Sequence, residues 1–128
     1  NINPNTTRSK IPNAYKKNIN SLKEILKTVD REKMKIFIYI APLRSDVEIP
    51  YNREEYEEFK LEVEFLAKKS GANFANLEEL VEGSLWGMKE STNLKKDLEY
   101  DFMHYKVEGH KILADKIVQK ISEVLDGL

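Results

Sequence analysis

Cysteine is absent from the 128 residues, so no disulfide framework, thiol nucleophile or thiolate metal site is available, and the redox compartment stays open. An excess of one charge is absent as well. Lys and Arg number 21 against 22 Asp and Glu, spread along the chain, which leaves no electrostatic footprint for a nucleic-acid partner. Long hydrophobic runs are also missing. The longest, Ile36 to Leu43, falls far short of the ~20 residues a bilayer requires, and the N-terminus carries no basic-then-apolar signal pattern. A soluble chain without a transmembrane segment is expected. Its opening, Asn1-Ile2-Asn3-Pro4-Asn5-Thr6-Thr7, reads as a polar loop within something longer, so a targeting segment upstream stays open.

What is present suffices for one compact domain: 14.9 kDa and 41% apolar residues allow a modest core. Residues 1–12 read as loop or linker, and 13–128 as part of a single α/β domain. Tyr15, Ile19, Leu22, Ile25, Leu26 and Val29 recur at helical spacing with lysines between them, which predicts an amphipathic helix. Met34 to Ala41 is β-branched, aromatic and nearly continuous in apolarity, as a strand covered on both faces is, and Pro42 ends it. Asn52 then caps a second helix, with Glu55 spaced to reach back to the cap's amide. Tyr56, Phe59, Val63, Leu66 and Ala67 form that helix's inner stripe, and Gly71 suits a left-handed exit.

Asn73 to Leu77 is a short candidate strand, and residues 78–100 read as mostly irregular with a helical turn at Leu77 to Val81. From Gly109 the positions Ile112, Leu113, Ile117, Val118, Ile121, Val124 and Leu125 mark a final helix ending at Gly127. This order predicts a parallel α/β layer. Two strands make a marginal sheet, however, and the strand around Ile36 to Ala41 keeps an open edge, so a partner beside it is expected.

The segment with most chemistry is Tyr100-Asp101-Phe102-Met103-His104-Tyr105-Lys106-Val107-Glu108-Gly109-His110. Asp101 and His104, three apart before a helix, form an acid/base pair that lacks a nucleophile. The segment resembles the Asp-x-x-His block of the SGNH (GDSL-type) esterases and O-acyltransferases, which continues through an aromatic, Gly-His and a Leu-Ala helix; here these are Tyr105, Gly109-His110 and Leu113-Ala114. The likeness covers most of the chain but one of four signature blocks, and the Gly-Asp-Ser block is nowhere in it.

The resemblance implies the C-terminal half of a three-layer flavodoxin-like domain. It also implies acyl-ester hydrolysis or O-acyl transfer on a carbohydrate or lipid hydroxyl, with His104 as general base and Asp101 orienting it. The serine and oxyanion hole would then come from upstream sequence or a second chain that completes the sheet, and this chain alone would be inactive. The phrases Ala41-Pro42-Leu43-Arg44-Ser45-Asp46, Trp86-Gly87 and Asp101 to Tyr105 look most like SGNH proteins that accompany membrane-bound O-acyltransferases, which implies an extracytoplasmic site and a small-molecule or polysaccharide acyl ester as partner.

Each candidate has a plainer reading. Asp101 and His104 can be a helix-capping Asp and a carbonyl-bonded His, or, with His110, a metal site, although they lack the tight helical spacing of metal motifs. Neither metal nor cofactor is expected. Arg44, past the end of the first strand, is placed to hold a substrate carboxylate or phosphate, or to pair with Asp46 or Glu48. Trp86 suits a substrate pocket or a core anchor. Among the serines, Ser84 in Glu82-Gly83-Ser84-Leu85 comes nearest to a nucleophile setting. The competing class is a non-catalytic, hydrolase-like module that binds a partner through the open strand edge.

Overall fold

The computed structural model of the chain describes residues 7–91 and 94–126. The polar run at residues 1–6 and the helix end expected at Gly127 lie outside them. The described elements are α1 (Pro12–Arg31), β1 (Phe37–Ile40), α2 (Arg53–Lys69), β2 (Asn73–Asn76), a 3-10 turn at Gly83–Leu85, β3 (Trp86–Glu90), β4 (Leu98–Tyr105) and α3 (Val107–Asp126). The chain is mixed α/β with two small sheets: β1 pairs with β2 in parallel, and β3 with β4 antiparallel.

The two N-terminal helices follow the apolar periods. Pro12 sits in the first turn of α1, where its missing N–H is no loss. Ile19 of α1, Ile40 of β1 and Val63 of α2 meet in the core, with Tyr15, Leu22, Ile38, Phe59, Leu66 and Phe74 packed around them. Asn52 caps α2 by accepting from the Glu55 N–H at 3.1 Å, and Gly71 leaves the helix at φ 73°.

The expected reciprocal bond from Glu55 does not form. The carboxylate instead accepts from the Lys10 N–H, and the Asn52 N–H goes to the Arg8 carbonyl, because residues 8–10 run back along the start of α2.

Three other expectations are corrected. β1 is four residues long and its second face is only partly covered: Ile38 and Ile40 point to the core, whereas Phe37 and Tyr39 stack on the opposite side, where Phe37 is half-buried and Tyr39 stays exposed. Residues 78–100 are less irregular than expected, since they contain the 3-10 turn at Gly83–Leu85, β3 and the start of β4, while the turn expected at Leu77 to Val81 is present, closed by the Leu80 N–H on the Leu77 carbonyl at 3.0 Å. α3 begins at Val107 and packs on β1 and β4, yet Ile112, Val118, Ile121 and Leu125 remain exposed, so its apolar stripe has more face than the described chain covers. No described helix is long and apolar enough to cross a membrane.

Candidate acid–base site

The Asp101 to His104 segment is an excursion from the β3·β4 ladder. Trp86 faces Tyr105 and Met88 faces Tyr100, so the single residue Gly87 on β3 lies opposite the four residues 101–104 on β4. Asp101 and His104, expected just before a helix, lie inside a strand that bulges before α3 begins. Such a bulge leaves ladder groups to find other partners, and Asp101 supplies some of them. Its Oδ1 accepts from the N–H of Met103 at 2.8 Å and of His104 at 3.2 Å, which curls the backbone around the carboxylate.

The second carboxylate oxygen, Oδ2, lies 2.8 Å from Nδ1 of His104. Asp101 is 6% exposed, whereas the His104 side chain is 76% exposed. Burial pushes the Asp101 carboxyl up, but the Met103 N–H and the His104 imidazole together pull it down, and the net result lies below the ordinary Asp value. The carboxylate is therefore an acceptor only at neutral pH, and the bond requires the proton of the neutral imidazole to sit on Nδ1. Nε2 is left with its lone pair, on a ring that faces solvent. A buried orienting carboxylate and an outward-facing base nitrogen form a general-base arrangement.

Arg44, on the loop after β1, is 5% exposed. Its Nε and Nη2 donate to the two carboxylate oxygens of Asp46 at 2.7 and 3.0 Å, and its guanidinium lies 4.5 Å from the centroid of the Tyr100 ring. The remaining nitrogen, Nη1, donates to the main-chain carbonyl of Gly87 at 2.7 Å and to that of Asp101 at 3.4 Å. The fork is thus committed within the chain, and the pairing with Asp46 is the plainer of its two sequence readings. That guanidinium holds the Asp46 carboxyl below its usual range. Asp46 in turn lies against Gly83, where an added Cβ would stand 2.3 Å from the Asp46 Cβ.

Trp86 is buried, donates from Nε1 to the Val81 carbonyl at 3.2 Å and meets Tyr105 edge-on at 4.6 Å between ring centroids. Its described contacts are those of a hairpin anchor. The Tyr105 ring continues to His110 at 5.1 Å, and a Cβ at Gly109 would come within 2.7 Å of the Tyr105 Cβ. The Gly-His pair thus lets the first turn of α3 close on the residue next to His104. Ser84 is exposed in the 3-10 turn, its carbonyl accepts from Lys106 Nζ at 2.8 Å, and no hydrogen bond joins it to His104.

Asp101, His104 and Arg44 are therefore brought together, while Trp86 lies one strand away. Gly87 and Tyr100 escaped sequence reasoning, because the β3·β4 pairing that brings them to the site is interrupted between Trp86 and Met88. Among the described residues no three His, Asp or Glu side chains cluster to hold a metal ion. Compared with family models, curated proteins and solved structures, the chain matches none.

Proposed function

We propose that this chain carries the acid–base half of a serine acyl-transfer site. His104 takes the proton of a serine hydroxyl through Nε2 and returns it to the leaving alcohol, while Asp101 orients the imidazole and offsets its charge. The observation that carries this reading is the 2.8 Å contact between Oδ2 of a buried Asp101 and Nδ1 of an exposed His104.

The serine and the oxyanion-hole donors arrive on a polypeptide segment that pairs with the edge of β1 left open among the described residues, an upstream part of the same protein or a second chain. With that segment the sheet grows toward the three-layer flavodoxin-like arrangement of the SGNH enzymes, outside any membrane-spanning element. The groove of about 550 Å3 along the hairpin, lined by Val47, Ile49, Met88, Leu98, Tyr100 and Phe102 among others, has room for the acyl part of an ester of a carbohydrate or lipid hydroxyl. The test is turnover of an activated acyl ester by the protein expressed from its own gene, with any chain it pairs with. Turnover is expected, and its loss in His104→Ala; retention in that variant would overturn the assignment.

A second reading, a non-catalytic module that binds a partner strand, is favoured by the same open edge and by the exposed stripe on α3. The bonds from Asn73 N–H to the Ile36 carbonyl and from Leu77 N–H to the Ile40 carbonyl turn the even residues of β1 toward β2. Phe37 and Tyr39 therefore offer their N–H and C=O groups to the free edge. Tyr39→Pro removes a donor there without touching the β1·β2 pairing. If edge pairing drives association, this variant loses its partner in sedimentation measurements; unchanged association excludes the mechanism.

A further inference from the structure

The bulge that carries the acid–base pair creates a problem of position. Four residues of β4 stand opposite one of β3, so ladder hydrogen bonds cannot hold the excursion to the sheet. Two carbonyls face each other across this gap, those of Gly87 on β3 and Asp101 on β4, and both accept from the same nitrogen, Nη1 of Arg44. The rest of the guanidinium is fixed from behind by the fork-to-fork pairing with Asp46 and from one face by the Tyr100 ring, the residue just before Asp101. Arg44 comes from the loop after β1, 43 residues from Gly87 and 57 from Asp101 in sequence, so it ties the bulge to the end of the other sheet.

The geometry points to Arg44 as a positioning residue of the acid–base site: by clamping the main chain at Gly87 and Asp101 it sets the direction from which the Asp101 carboxylate meets His104. Arg44 touches neither the carboxylate nor the imidazole, so it acts entirely through the backbone. The role requires a planar fork. Five donors in a fixed plane can satisfy a carboxylate edge-on and two carbonyls at once while stacking on an aromatic face, whereas the single ammonium of a lysine cannot. The inference rests on the acyl-transfer reading for the purpose of the dyad but not for its existence, because the dyad's geometry can be read without serine or substrate.

The test uses the chain as it stands and ¹⁵N NMR of its imidazoles at a pH where they are neutral. In the wild type His104 is expected as the Nδ1–H tautomer, held by Asp101. Arg44→Lys is expected to cut the ratio of Nδ1–H to Nε2–H at His104 about threefold or more, because a misdirected carboxylate no longer selects the tautomer. His110 serves as the internal reference and should not change.

Asp46→Asn, isosteric and so still accommodated against Gly83, loosens the back of the guanidinium and should shift the ratio in the same direction by a smaller factor; it decides the matter if Arg44→Lys does not fold. Val63→Ala, a core truncation remote from the bulge, should lower stability without moving the ratio. A wild-type ratio in folded Arg44→Lys or Asp46→Asn, or an equal shift in Val63→Ala, would reduce Arg44 to a general scaffold residue. A failure of ester turnover would count against the acyl-transfer reading and leave this result untouched.

Discussion

Replacing Arg44 with Ala is expected to cost about 3 kcal/mol of folding stability, a large part of what a domain of this size possesses. The effect comes from what the substitution leaves behind. The carbonyls of Gly87 and Asp101 both lose the nitrogen that serves them. A buried acceptor without a partner costs about 1–3 kcal/mol, and the loss of the contact with the Tyr100 ring adds to this. Asp46 contributes less, because at 39% exposure its freed carboxylate returns to water. Urea unfolding followed by circular dichroism measures the change. A loss below about 1 kcal/mol would mean that water replaces the guanidinium at little cost, and that the hairpin does not depend on it.

On the acyl-transfer reading proposed above, Asp101→Asn should leave a folded chain with turnover by the complete assembly reduced roughly 10⁴-fold, and His104→Ala should do about the same. The amide keeps an oxygen for the N–H groups of Met103 and His104, so the curl of the bulge survives. It loses the charge, however, and it can present an N–H toward Nδ1. The imidazole then carries its proton on Nε2, the atom that must accept one. Because neither group binds the substrate's ground state, the loss should appear in kcat with KM nearly unchanged, and the double variant should be little worse than either single one.

The same carboxylate has a signature in stability. Its folded pKa is depressed, so its contribution is complete above the ordinary Asp value of about 3.9 and is lost as pH falls through the lower folded value. Acid should therefore destabilise the wild type below about pH 4 more steeply than Asp101→Asn. Equal slopes would mean that Asp101 is not held ionised by its neighbours.

Helices α1 and α2 were legible because their stripes, from Tyr15 to Val29 and from Tyr56 to Ala67, are long enough to show a period, and most of their positions turn inward; Ile25 of the first stripe is the exception and stays exposed. The proximity of Asp101 to His104 was legible for a local reason: three residues apart, they need only a curled backbone, and Asp101 supplies the curl itself. The hairpin was not. Met88, Leu98, Tyr100 and Met103 stay exposed, so the faces of β3 and β4 lack the buried-to-exposed contrast that a two-residue period requires, and the four-residue excursion breaks what period there is. The role of Arg44 depends on partners 43 and 57 residues away, which no local pattern encodes. Glu55 shows the same limit from the other side, since a correctly spaced capping box gave way to a long-range bond with the backbone of Lys10. α3 was read correctly as amphipathic, but a stripe implies a cover, and here the described chain supplies only part of one.

The central claim, that this chain holds the base and not the nucleophile, is tested most directly by intact-mass spectrometry after treatment with a fluorophosphonate. The account predicts an unmodified chain at 14.9 kDa. It also predicts a single adduct on the complete gene product, or on a chain that pairs with it, mapping outside these 128 residues and absent in His104→Ala. A stoichiometric adduct on the chain itself, lost in His104→Ala, would contradict it and place the nucleophile at one of the chain's own serines, with Ser84 the first to examine.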